Sequence, residues 1–170
     1  SDEALQAHAT NWAIHTEAAE AAGRRSDRSK WRITTFAHVA ETRQQARAEM
    51  AYGLDKFAKY FTDVATFPII PAGITDPVEH LTSSGLACIG TPDDCIRHFE
   101  RLWLGSGGGF GAVLLLAHNW ADWAATRRSY ELMARYVHPN FQGQSNGLRV
   151  TSYDDATAMH ESAGAESKEA

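Results

Sequence analysis

The chain has 170 residues, 44% hydrophobic and 22% charged, with a formal charge of −5, a composition that supports one domain with a real core. The acidic balance lacks the basic excess that offsets a phosphate backbone, which excludes nucleic acid as a partner class. No run approaches the roughly 20 apolar residues of a membrane span and no signal-peptide pattern opens the chain, so no membrane role and a cytoplasmic location are expected.

Ser1-Asp2-Glu3 reads as a helix N-cap with acids in the first turn. From Ala4 to Ala22, residues Leu5, His8, Trp12, His15 and Ala19 recur at spacings of three and four, the period of a helix that Gly23 ends. Trp31 to Val39 is rich in β-branched and aromatic residues and reads as a strand. Thr42-Arg43-Gln44-Gln45 matches a capping box, so one helix is expected from about Arg43 to Tyr60. Pro68, Pro71, Gly73 and Pro77 make residues 61–84 a long irregular excursion, with a short helix near Val78 to Leu81.

Leu86 to Ile89 is a short apolar strand. Thr91 as N-cap, Pro92 at the first helical position and the acids Asp93 and Asp94 then mark a helix start. That helix runs through Ile96, Phe99 and Trp103 to the glycine run ending at Gly109. Ala112 to Ala117 is apolar on both faces, as in a buried parallel strand. A last helix, about Trp120 to Val137, repeats apolar residues at Trp123, Tyr130, Met133 or Ala134, and Val137 and ends before Pro139. Residues 144–170 have no sustained period and read as a mobile tail. Helices alternating with strands imply an α/β fold with parallel strands, here expected to be adjacent in chain order. Three such strands cannot close a barrel, so apolar surface is expected along the open edge of the first, at Trp31, Ile33 and Phe36.

Several patterns are negative. Gly107 to Ala112 formally fits G-x-G-x-x-A, but it follows a helix and opens a strand, the reverse of a phosphate loop, and reads as a helix terminator. The eight histidines show no zinc spacing, so no metal is expected, and Cys88 and Cys95 read as reduced core thiols. No G-x-S-x-G elbow occurs.

One segment carries chemistry. His118, Asn119 and Trp120 place an imidazole, an amide and a large aromatic at the C-terminal end of a strand, where α/β folds build their sites. The same residues also suit a plain loop in which Asn119 caps the last helix and Trp120 packs beneath it. His38, near the end of the first strand, has the same two readings, site residue or satisfied core histidine. Gly90 and Thr91 close the second strand, where capping already explains them.

Cys88 to Ile96 with the glycine-ended helix after it, the strand reaching Ala117, and the final helix ending in Tyr136-Val137-His138-Pro139 together resemble the C-terminus of bacterial luciferase-like flavin-dependent monooxygenases. Leu114 to Trp123, Arg128 to Leu132 and Trp31 to Thr42 resemble the limonene-monooxygenase-like branch most. The resemblance spans residues 1–143. It implies a partial (β/α)8 TIM barrel, with the last three strands and their helices present here. It further implies that reduced FMN, supplied by a separate flavin reductase, reacts with O2 and that one oxygen atom enters a small organic substrate such as a terpene. Some relatives use the deazaflavin F420 instead. Carried over by position, His118, Asn119 and Trp120 would lie near the flavin, with His38, Gly90 and Thr91 at the same barrel mouth. The resemblance places the first five strands outside this chain, which by itself would then be inactive and would need an N-terminal half or a homo-oligomer. The alternative is a non-catalytic α/β module that dimerises or complements a partner chain.

Overall fold

The structure, a computed structural model, describes residues 3–65 and 68–142. The expected N-cap at Ser1 and the expected tail at residues 144–170 lie outside them. Helix α1 (Glu3–Ala21) ends as anticipated, with Gly23 at φ 68°. Trp12 of α1 packs on Trp31 with ring centroids 4.9 Å apart, at the entry to strand β1 (Arg32–Val39). The remaining elements are α2 (Arg43–Glu49), α3 (Leu54–Asp63), α4 (Pro77–Ser83), β2 (Ala87–Gly90), α5 (Pro92–Gly105), β3 (Ala112–Leu115), α6 (Trp123–Leu132) and α7 (His138–Phe141).

Local chemistry explains most of the boundaries. Asp76, Thr91 and Asp122 each accept the N–H three residues on, and the Asp94 carboxylate in turn accepts the Thr91 N–H, completing a capping box. At Thr42 only half of the expected box forms. The Gln45 N–H donates to Thr42 Oγ1, but the Gln45 side chain reaches forward to Glu49. The glycine run terminates α5, as its order after a helix suggested. Gly107, Gly108 and Gly109 have φ of 68°, 137° and 82°, and Arg28 clamps the turn by donating to the carbonyls of Ser106 and Gly109.

The three strands are all parallel, as expected, but their order is β2-β1-β3 and not chain order. Phe36 to Val39 pair with Ala87 to Gly90, whereas Arg32 to Thr35 pair with Ala112 to Leu115. The expected open edge does not run along the whole of the first strand: β1 lies between the other two, with β3 beside Trp31 and Ile33 and β2 beside Phe36. Each half of β1 is thus paired on one side, and β2 and β3 are the outer strands of this sheet.

Alternation along β1 divides the core in two. Ile33, Ala37 and Val39 pack with Cys88, Cys95, Phe99, Leu102, Met133 and Val137. On the opposite face Phe36 packs with Met50, Leu54, Phe57, Leu81 and Trp120. Each large side chain fully buried there contributes roughly 1.5–3 kcal/mol.

Three expectations about elements are corrected. The single helix over residues 43–60 is broken into α2, a 3-10 turn at Met50–Tyr52, and α3, with Gly53 between them. The break has a tertiary cause, because a Cβ at Gly53 would lie 2.0 Å from the carbonyl oxygen of Asn119. The last helix begins at Trp123 under an Asp122 cap, and not at Asn119 or Trp120, and a π turn at Met133–Val137 carries it past Pro139 into α7. Its buried stripe is Ala125, Ser129, Met133 and Val137, while Trp123 and Tyr130 are exposed. Nor is β3 covered on both faces, since Leu114 is 48% exposed.

Among the described residues no helix is long and apolar enough to cross a membrane, and no three ligating side chains gather as a metal site would need.

Candidate functional site at the strand ends

β3 stops opposite Thr35, four residues before β1 does, so the last groups on that side of β1 need other partners. The ladder continues to the hydrogen bond from Leu116 N–H to the Thr35 carbonyl. Beyond it, His118 Nε2 lies 3.0 Å from the Ala37 carbonyl oxygen, and the Val39 N–H donates to Ser129 Oγ at 2.9 Å. Two side chains thus stand in for the next two rungs, which accounts for a buried serine in α6. It also assigns the His118 proton to Nε2, since a carbonyl only accepts, and leaves Nδ1 to accept a long hydrogen bond of 3.4 Å from the Trp120 N–H.

Folding His118 back in this way gathers the expected residues. Its ring stacks on Trp120 at 4.2 Å between centroids and meets His38 at 6.0 Å, and Phe36 lies 5.1 Å from Trp120. Burial lowers the His118 imidazole pKa, with the Ala37 carbonyl opposing the shift and the neighbouring His38 adding to it. Trp120 is fully buried, with Phe57 packed edge-on against it. Asn119 is exposed, caps no helix, and contributes its backbone to the contact with Gly53. Gly90 sits opposite Val39 at the end of β2, and Thr91 is occupied in capping α5. The structure therefore brings His38, His118 and Trp120 into one cluster, with Gly90 and Thr91 beside it at the same sheet end.

His38 has a setting that sequence reasoning missed. Its side chain is fully buried, and Nε2 lies 2.7 Å from Glu49 Oε2. The other Glu49 oxygen accepts from Gln45 Nε2 at 3.1 Å and from the Arg128 guanidinium, which also pairs with Glu41. The opposite nitrogen of His38, Nδ1, is buried without a hydrogen-bond partner among the described residues, as is Trp120 Nε1. Buried polar atoms are nearly always paired, so two such atoms in one cluster call for an explanation. The Gln45 and Glu49 spacing of four was legible as a helix pair, but nothing in the sequence linked either residue to His38 or to Arg128.

A groove of about 750 Å3 runs along β3 between α5 and α7, lined by Phe99, Trp103, Phe110, Val113, Leu115 and Phe141 among others. It shares no lining residue with the histidine cluster.

No family model matches the chain. Among curated proteins it is 34% identical to limonene 1,2-monooxygenase of Rhodococcus erythropolis over 155 residues, covering 91% of this chain and 40% of that protein. It is 31% identical over 145 residues to 4-hydroxyprotoasukamycin monooxygenase of Streptomyces nodosus subsp. asukaensis, covering 84% of this chain and 39% of that one. The chain thus spans about two fifths of the length of these relatives. Among solved structures, the oxygenating constituent of 3,6-diketocamphane monooxygenase from Pseudomonas putida, a type II Baeyer-Villiger monooxygenase in complex with FMN, superposes with a TM-score of 0.55 at 24% identity, covering 79% of this chain and 40% of that one. A monooxygenase from Streptomyces bottropensis gives a TM-score of 0.59 at 18% identity, covering 82% and 39%. These likenesses establish a shared mixed α/β fold.

Proposed function

We propose that the chain is the C-terminal portion of a luciferase-like, FMN-dependent monooxygenase acting on a small, largely apolar organic substrate. The observation that carries this reading is 34% identity over 155 residues to a monooxygenase of limonene. The strand-end cluster suits such a cofactor, because it combines the packed rings of Phe36, His118 and Trp120 with two buried polar atoms that lack partners among the described residues. Reduced FMN, when bound, would supply the two electrons with which O2 gives one oxygen atom to the substrate and the other to water.

In this reading the chain's own residues bind and orient. His118, fixed by the Ala37 carbonyl, and His38, fixed by Glu49, set the polar edge of the site. Trp120 and Phe36 form the apolar wall that excludes water. Asn119, Gly90 and Thr91 form the rim at the same ends of the strands.

We read the three strands as the last three of a (β/α)8 barrel. The parallel strands and helical crossovers support this. In such a barrel β3 pairs with β2, and a preceding strand takes the edge of β1 that β3 occupies in the chain alone. The exposed Leu114 and Leu116 favour further partners for β3. The open outer edges of β2 and β3 also suit a non-catalytic module that dimerises through its sheet.

The test uses the whole protein, FMN, a flavin reductase with its reduced nicotinamide, and a panel of monoterpenes and cyclic ketones under air. One-oxygen products that require FMN are expected. A protein that binds neither FMN nor F420 in a fluorescence titration and is a stable dimer in solution overturns the reading in favour of the module.

A further inference from the structure

His38 combines three features: complete burial, a carboxylate fixed at one ring nitrogen, and no hydrogen-bond partner at the other. A carboxylate can only accept, so in the neutral ring the proton sits on Nε2, facing Glu49, and Nδ1 carries a lone pair. Glu49 has no freedom to reverse this. Its Oε1 is held by donors from Gln45 and Arg128, and Arg128 is itself held by Glu41, so Oε2 is left for His38. An unpartnered acceptor buried at this depth has lost its water without compensation, a penalty that a hydrogen bond from a bound molecule would offset. His118, 6.0 Å away between ring centroids, is already occupied at both nitrogens, so Nδ1 is the free acceptor of the histidine pair.

We propose that His38 Nδ1 is the acceptor that the strand-end site offers to an N–H or O–H group of its bound molecule, and that Glu49 is the positioning residue that keeps it an acceptor. The proposal rests on the flavin reading, because it is the bound molecule that must bring the donor. Glu49→Gln isolates the positioning role. The amide oxygen of the variant stays with the two donors from Gln45 and Arg128, so its NH2 group faces His38 Nε2. That nitrogen must then accept, and the proton moves to Nδ1.

The experiment is 15N NMR of the whole protein with labelled histidine, with and without FMN, each His38 signal being assigned by its loss in His38→Asn. In the native protein, Nε2 is expected to show a protonated-type shift and Nδ1 a bare-type shift that moves toward the protonated type when FMN is added. In Glu49→Gln the two types are expected to exchange, with the melting temperature reported alongside. A merely structural Glu49 would alter the melt and leave the tautomer in place, which overturns the proposal. If the variant does not fold, the native spectra decide: a proton on Nδ1, or an Nδ1 shift unchanged by bound FMN, also overturns it. FMN that binds without touching His38 defeats only this inference, whereas failure of FMN to bind defeats the flavin reading and this inference with it.

Discussion

His118 extends the β1–β3 ladder by one side-chain rung, its Nε2–H meeting the Ala37 carbonyl at 3.0 Å where the backbone of β3 has already turned away. A residue singled out for chemistry thus also finishes a sheet. The two roles are compatible, since a site residue needs a fixed ring and this hydrogen bond fixes it.

His118→Phe keeps the ring and removes the donor. The Ala37 carbonyl then loses its partner in a largely buried place, and stability is expected to fall by about 1–3 kcal/mol. Urea unfolding followed by tryptophan fluorescence measures this. No change in midpoint would show that water serves the carbonyl equally well.

Gly53→Ala tests the break between α2 and α3. Alanine favours helix, and on local propensity alone it would stabilise this segment by up to about 1 kcal/mol. Its Cβ would lie 2.0 Å from the Asn119 carbonyl oxygen, and the Gly53 N–H donates to the Trp120 carbonyl at 3.0 Å, so the two backbones cannot simply separate. The clash is expected to win, with a net loss of about 2 kcal/mol. Thermal melts of the two proteins decide the sign.

Trp120→Ala removes the largest fully buried side chain, which packs on Phe36, Phe57 and His118. A loss of about 3–5 kcal/mol is expected, and a smaller one for Trp120→Phe, which retains an aromatic ring. Equal losses in denaturant titrations would show that the cavity is refilled by its neighbours.

His98 provides a pH dependence. Burial, with a smaller contribution from Arg101, lowers its pKa to about 4, and Nε2 lies 2.9 Å from Thr35 Oγ1, itself bonded to the Leu86 carbonyl. The folded protein holds this ring neutral, whereas the unfolded chain takes up a proton near 6.5. The stability contribution is therefore complete above about pH 6.5 and is lost as pH falls from there toward 4, by at most about 3 kcal/mol. The lowered pKa of His118 acts with the same sign. Unfolding free energies at pH 7 and pH 5 should differ more in the native protein than in His98→Gln.

The sequence shows where most elements start and which are helices or strands, because those signals are local. Thr91, Pro92 and Asp94 act within one helical turn, and Gly23 ends α1 by its own backbone conformation. It also placed His38, His118 and Trp120 at strand ends, since alternation and strand length suffice for that. That β1 is the central strand emerges only on packing, because edge pairing depends on which backbone groups remain free once the sheet assembles. The same applies to the break at Gly53, made by a backbone 66 positions away in the chain. It applies as well to the link from His38 through Glu49 to Arg128, three residues whose charges and hydrogen bonds meet only when β1, α2 and α6 are packed together.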